Sequence, residues 1–262
     1  MLVYFFIFFI GACFGSFLNV VIHRLPEHKS VVKKKSHCPY CHKEIKFYDL
    51  IPVLSFIWLK GKCRSCGKKI SWQYPAVELF TALSFLFIAY HHQVLESLFN
   101  PWFFRDLIFV LGLIIIFVAD LRYYLVFDLV VIPLAVFALF INLFLFGSDL
   151  GFWSMFWNLA LSAMLGGGFF WLQYVISKGR WVGAGDIRLG VLFGFMFGWP
   201  RILAVLILAY VSGAIISLFL VALKRKNMKS QVPFGVFLSL AALVVLFYGN
   251  EIVNWYLSKL AI

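Results

Sequence analysis

The chain of 262 residues is far more apolar than a soluble protein of this length: 63% of its residues are hydrophobic, 13% are charged, and the mean hydropathy is +0.96. Soluble domains are about half apolar and about a quarter charged, and disordered chains have low hydrophobicity, so both classes are excluded. The net charge is +12, and residues 23–73 alone carry twelve Lys and Arg against three Asp and Glu. The composition therefore predicts a polytopic membrane protein with one strongly basic segment.

Eight stretches are candidates for membrane spans, each of which needs about 20 mostly apolar residues. In chain order they are residues 2–22, 75–92, 102–119, 126–147, 152–176, 186–200, 202–223 and 234–257. The first is interpreted as a true span because it lacks a basic start and is followed by basic chain, unlike a signal peptide. The predicted fold class is an all-α polytopic membrane protein of about eight transmembrane helices, with a small domain between the first and second.

The distribution of Lys and Arg predicts the orientation of these spans. Twenty of the 23 basic residues fall on the same side as the 23–73 segment, and only Arg105, Arg201 and Lys259 fall on the other. Cytoplasmic loops carry the excess of Lys and Arg, so we expect a cytoplasmic 23–73 segment and an outside N-terminus. This orientation explains the excess of basic residues, so binding to nucleic acid is not needed to account for it. Contact with anionic lipid is a further possible role of the basic segment.

Four cysteines of the basic segment form two CxxC pairs, Cys38 with Cys41 and Cys63 with Cys66. Four thiolates at this spacing are typical of a closed, structural zinc site. Two disulfides are the alternative, which a reducing cytoplasm disfavours. A zinc ion would also help a segment of about 50 residues to fold.

Acidic residues near a membrane are costly and often functional. Four are predicted at cytoplasmic ends of spans: Glu78, Asp120, Asp128 and Asp186. Four others are predicted at outer ends, with solvated or capping roles: Glu96, Asp106, Asp149 and Glu251.

Asp120 and Asp186 are the strongest catalytic candidates among these acids. Asp186 follows Gly183 and Gly185 directly before an apolar helix, which suits either a helix cap or a catalytic carboxyl on a backbone kept open by glycine. Asp120 ends the third span, where the helix dipole disfavours an anion. Two such carboxyls can activate water for amide hydrolysis, but intramembrane acids also mark ion or proton pathways, so spacing alone leaves both interpretations open.

Glycines recur at helical spacing in two spans. Gly190, Gly194 and Gly198 share one face of the sixth span, and the fifth contains residues 166–168, all glycine. Small residues allow membrane helices to approach closely, so both sets are predicted to mark tight packing.

Several motifs in order make the whole chain resemble the type IV prepilin peptidases, the bifunctional leader peptidase/N-methyltransferases of bacterial membranes. They are GSFLNVVIHRLP at 15–26, LIPVLSF at 50–56 between the CxxC pairs, GKCRSCG at 61–67, YPAVE at 74–78, Asp120 with Asp128 eight residues later, the glycine-flanked Asp186, and PFG at 233–235. The chain departs from the usual pattern at Val126-Phe127 before Asp128, at Arg188 and at Val236.

The resemblance implies a division of the chain into residues 1–22 as the first span, 23–73 as a cytoplasmic zinc-binding segment with the methyltransferase part, and 74–262 as a seven-helix aspartyl peptidase domain. It implies that Asp120 and Asp186 are catalytic. It further implies an enzyme of the bacterial inner membrane that cuts prepilins and pseudopilins after the Gly ending a short basic leader. The new N-terminal residue would then be methylated with S-adenosylmethionine.

The cofactor site is not apparent from the sequence because no glycine-rich dinucleotide fingerprint occurs. Gly15, Asn19, Arg24 and Glu78 are weak candidates, and hydrogen bonding between helices is an equal explanation for Asn19 and Glu78. Two other functions remain as alternatives. One is a transporter with an acid-lined pathway, and the other is a non-catalytic zinc-ribbon assembly factor.

Overall fold

A computed structural model describes residues 2–27, 30–31, 36–94, 100–224 and 232–260. Within them the chain is helical, with two isolated β-bridges and no strand. The α-helices are α1 (Leu2–Arg24), α2 (Leu54–Trp58), α3 (Gln73–His91), α4 (Pro101–Tyr123), α5 (Asp128–Leu150), α6 (Phe152–Ser177), α7 (Ala184–Phe197), α8 (Arg201–Ala222) and α9 (Phe234–Leu260). Contacts divide the chain into two units, Met1–Ile115 and Ile116–Ile262.

Six helices of the described chain are long and apolar enough to cross a membrane. They are Leu2–Glu27, Pro101–Tyr123, Asp128–Gly147, Phe152–Ser177, Arg201–Ala222 and Phe234–Lys259. The predicted second and sixth spans also form helices, α3 and α7, but neither belongs to this set. Helix α7 has 14 residues, a length of about 21 Å, whereas a bilayer core is about 30 Å thick. The all-helical class is confirmed, and the count of eight spans is not.

In the first unit, α1 and α3 run antiparallel in close contact. A Cβ at Gly11 would lie 2.9 Å from the Cα of Ala82, and one at Gly15 would lie 2.6 Å from the Cα of Glu78. No side chain fits in these gaps, so the glycines set the separation of the two helices.

In the second unit, the predicted glycine packing joins α6 to α7. A Cβ at Gly190 would lie 2.4 Å from the carbonyl oxygen of Gly166, and one at Gly194 would lie 2.3 Å from the Cα of Ala163. Two glycines of the predicted sets do not take part in this helix packing. Gly198 follows the end of α7 with a φ of +64°, and Gly168 faces open space.

The outer acids do not all have the expected solvated or capping role. Asp106 is buried and accepts hydrogen bonds from Arg105 at 2.8 Å and from His92 at 2.8 Å. The expectation of a solvated or capping role is therefore wrong for Asp106, because Arg105 and His92 both contact its buried carboxylate. Glu251 is exposed, whereas Glu96 and the side chain of Asp149 lie outside the described residues.

Candidate active site and metal centre

Asp120 is buried on α4, and its side chain meets the first turn of another helix. Its Oδ2 accepts a hydrogen bond of 3.0 Å from the backbone N–H of Val236, and the N–H of Gly235 also donates to its carboxylate. A Cβ at Gly235 would lie 2.8 Å from this oxygen, so glycine allows the contact. Both N–H groups belong to the start of α9, where a helix stabilises an anion. Asp120 lies in the last turn of α4, as expected, but the first turn of α9 supplies donors that offset the unfavourable end of its own helix.

Asp186 is also buried, in the first turn of α7. Its Oδ2 accepts a hydrogen bond of 3.0 Å from the N–H of Gly183, so the side chain caps its own helix as well as lying in the protein interior. Asp186 is close enough to Asp120 for their charges to interact. The second unit thus brings two buried carboxyls together, each on the N-terminus of a helix.

The two glycines before Asp186 have different roles. A Cβ at Gly185 would lie 2.8 Å from the side chain of Val126, but at Gly183 the nearest atom would be 3.6 Å away. Gly183 also has an ordinary extended conformation, with a φ of −80°. Only Gly185 is required sterically, so the expectation that both glycines keep the backbone open is wrong for Gly183.

Asp128 lies outside this buried pair. It begins α5, its side chain is 55% exposed, and it forms an ion pair with Arg188. Arg188 is a position at which the chain departs from the family pattern, and its partner is this exposed acid. This ion pair accounts for the positions of both side chains.

Tyr210 is a neighbour of Asp186 that no sequence pattern indicated. Its hydroxyl donates to Gln173 Oε1 at 2.9 Å, its ring centroid lies 4.8 Å from that of Phe234, and it is near enough to Asp186 for an electrostatic interaction. A tyrosine within an apolar helix resembles ordinary packing in the sequence, so only the fold reveals this position.

The four cysteines of the basic segment converge as predicted. The Sγ atoms of Cys38, Cys41, Cys63 and Cys66 all lie within 4.8 Å of one another, and no disulfide joins them. The distance between Cys38 Sγ and Cys66 Sγ is 3.9 Å. A tetrahedral zinc ion with bonds of about 2.3 Å separates its sulfurs by about 3.8 Å, so this thiol set fits zinc.

The two CxxC pairs have matching backbones. The N–H of Cys38 donates to the carbonyl of Lys43, and the N–H of Cys63 donates to that of Lys68. The residue after each pair has a positive φ, +55° at His42 and +68° at Gly67. Backbone N–H groups of Cys66 and Ser65 lower the pKa of the Cys63 thiol to about 7.

Three of the four weak cofactor candidates contribute to packing. Glu78 accepts a hydrogen bond of 2.8 Å from the N–H of Val53, and Asn19 donates to the carbonyls of Tyr74 and Gly15. Gly15 provides the close approach of α1 and α3. These contacts explain Gly15, Asn19 and Glu78 without a ligand.

Arg24, the fourth candidate, lies on a cavity of about 590 Å³ in the first unit. Its guanidinium donates to the carbonyls of Ser30 and Val31. Phe17, Glu44 and Phe47 line the same cavity. The cavity therefore offers a cation, a carboxylate and aromatic surface, which suit a cofactor with a carboxylate, ribose hydroxyls and a base.

Comparison with known proteins gives matches over nearly the whole chain. Residues 9–92 match the Bacterial Peptidase A24 N-terminal domain, and residues 107–218 match the Type IV leader peptidase family. A "Prepilin leader peptidase/N-methyltransferase" of Bacillus subtilis is 32% identical, with 96% of each chain covered. Proteins with that name from Aeromonas salmonicida and Pseudomonas aeruginosa are each 31% identical, covering 97% and 95% of this chain and 94% and 91% of their own. No solved structure matches the chain.

Proposed function

The chain belongs to the type IV leader peptidase family, and we propose that it removes the short basic leader of prepilins and pseudopilins. Cleavage follows the Gly that ends the leader, and the new N-terminal residue is then methylated. The observation that carries the peptidase half is the buried pair Asp120 and Asp186, each held by the N-terminus of a helix. This geometry is seen in the structure and is independent of the similarity to named relatives.

The hydrogen bonds around the two carboxyls suggest their roles. Two backbone N–H groups stabilise ionised Asp120, and one stabilises ionised Asp186. We therefore assign Asp120 as the base that takes a proton from water and Asp186 as the acid that protonates the leaving amine. The water oxygen bonds to the scissile carbonyl carbon, and the C–N bond breaks as the amine receives its proton.

The same proposal places the protein in the bacterial inner membrane. The bias of Lys and Arg supports an outside N-terminus and a cytoplasmic 23–73 segment. We infer that α3 and α7 are also embedded, since each packs through glycine against a longer apolar helix, α1 and α6 respectively. The substrate's apolar helix would lie in the bilayer, with its basic leader near Asp120 and Asp186.

The decisive experiment compares three Asn variants in membranes with a prepilin substrate. Asp120→Asn and Asp186→Asn should each slow cleavage by about 10²- to 10⁴-fold, the usual contribution of a catalytic acid or base. Asp128→Asn is the matched control, because it removes the same charge from an exposed residue and should change the rate less than about threefold. Wild-type cleavage by either buried-site variant, with insertion intact, would exclude the dyad, whereas no cleavage by the wild-type chain itself would favour the non-catalytic assembly factor.

A transporter is less consistent with the fold than a peptidase. That function requires acids near the bilayer midplane and discontinuous helices. Here Asp186 lies in the first turn of α7, and Asp120 lies in the last turn of α4, on the first turn of α9.

For methyl transfer we propose that S-adenosylmethionine occupies the cavity of about 590 Å³. Arg24 suits its carboxylate, Glu44 its ribose hydroxyls and Phe47 its adenine. The cofactor supplies the methyl group, and the chain supplies the pocket in which the pilin amine meets it.

Calorimetry tests this half without an activity assay. Arg24→Gln should weaken binding of the cofactor to the full chain by about tenfold, the loss expected for a charged hydrogen bond, while cleavage stays normal. An unchanged affinity of the Arg24→Gln variant for S-adenosylmethionine would show that the cofactor does not bind in this cavity. The four cysteines are proposed to hold zinc as the structural centre of the same segment.

A further inference from the structure

A second cavity of the first unit has a basic rim and an apolar floor. Its volume is about 710 Å³. The rim carries three exposed lysines, Lys60, Lys62 and Lys69, and none of the described residues that line it is acidic. The floor consists mainly of apolar and aromatic side chains, including Phe56, Ile57, Trp72 and Leu79. We call this cavity the lysine groove.

The three lysines of the groove lie close together, an arrangement that favours binding of an anion. Lys62 and Lys69 pair in an antiparallel β-bridge, so two like charges face each other. Such opposition destabilises a pair of strands. Across the described ranges, Lys60, Lys62 and Lys69 make no ion pair with a carboxylate of the chain. A bound anion would relieve this repulsion.

The floor of the groove continues along α3. Leu79 belongs to both the groove and α3, and Leu83 and Phe87 follow it at one-turn intervals, all exposed. This stripe runs beside α1, which is long and apolar enough to span a membrane. Trp72, at 76% exposure, stands directly before α3, in the position that tryptophan favours at a membrane interface.

We propose that the lysine groove binds one anionic phospholipid of the leaflet next to the 23–73 segment. Its phosphate lies against Lys60, Lys62 and Lys69, and an acyl chain lies along Ile57, Leu79 and the α3 stripe. The basic leader of a prepilin carries the wrong charge for this rim, so the groove is distinct from the substrate path. This inference is independent of the proposed peptidase and methyltransferase activities.

The test measures lipid bound to the full-length protein by native mass spectrometry in mixed micelles of phosphatidylglycerol and phosphatidylcholine. Two variants each lose three positive charges: Lys60→Gln/Lys62→Gln/Lys69→Gln in the groove and Lys43→Gln/Lys178→Gln/Lys224→Gln at exposed sites outside it. A basic residue near an anionic surface contributes about fivefold. The groove variant should therefore lose at least tenfold of the preference for phosphatidylglycerol, and the control less than twofold.

Two results would overturn the proposal. One is an equal loss in both variants, which would show a response to overall charge. The other is displacement of phosphatidylglycerol by an equal concentration of glycerol 3-phosphate, which would show that the acyl chain contributes nothing. Zinc content confirms folding, and normal prepilin cleavage by the groove variant separates this site from the aspartates. The single variant Lys62→Gln removes the facing charge, so it should fold well and still lose about fivefold of the preference.

Discussion

Replacing Gly190 with Ala tests whether the contact between α6 and α7 positions Asp186. The new Cβ would lie 2.4 Å from the carbonyl oxygen of Gly166, whereas ordinary contacts begin at 3.4 Å. The obstructing atom is backbone, so no rotamer change can accommodate it, and the helices must separate by about 1 Å. Gly190 lies one turn after Asp186, so this displacement reaches the carboxyl.

Two effects of Gly190→Ala are expected. Overpacking of this kind costs about 1–3 kcal/mol of stability. A displacement of a catalytic group by about 1 Å can cost about 100-fold in rate. The assay is prepilin cleavage in membranes, normalised to inserted protein, with thermal stability measured in parallel.

Gly168→Ala is the matched control, since its Cβ would have no atom within 4 Å. This variant should retain wild-type cleavage and stability. Wild-type cleavage by Gly190→Ala, or equal impairment of Gly168→Ala, would show that this helix contact does not position Asp186.

Three further predictions concern other local contacts. Gly185→Ala should slow prepilin cleavage at least tenfold because the new Cβ displaces the turn before Asp186. Gly183→Ala has room for a Cβ, so its cleavage rate should stay within about threefold of the wild type. Equal rates in the two variants would contradict this difference. Cys38→Ser should remove stoichiometric zinc and make the 23–73 segment sensitive to protease, as measured by metal analysis and limited proteolysis; full zinc content would refute the four-thiol site. The guanidinium of Arg64 holds the pKa of Asp49 below its usual range, so their ion pair stabilises the segment above about pH 4 and this contribution is lost as pH falls through the lowered pKa. In Arg64→Gln, carboxyl NMR should show the pKa of Asp49 moved upward, and no movement would contradict the pairing.

The differences between the expected and observed site have a common origin. Asp120 was interpreted from its own helix, as a carboxyl at an unfavourable end, but the fold places the first turn of α9 against it. The motif at 233–235 was visible in the sequence, yet its N–H groups reach Asp120 only through tertiary packing. Tyr210 was missed for the same reason, since its relation to Asp186 joins α8 to α7.

The sequence by itself determined the membrane class, the grouping of the four cysteines, and the glycine faces of α6 and α7, and it made Asp120 and Asp186 candidates. These inferences depend on composition or on the spacing of residues along the chain, which the sequence contains directly. Only the tertiary structure decided that Gly185 and not Gly183 is sterically required, and that Asp128 is exposed and paired with Arg188. Those facts depend on which atoms of distant segments meet, and hydrophobic periodicity does not record such meetings because many pairings satisfy the same pattern.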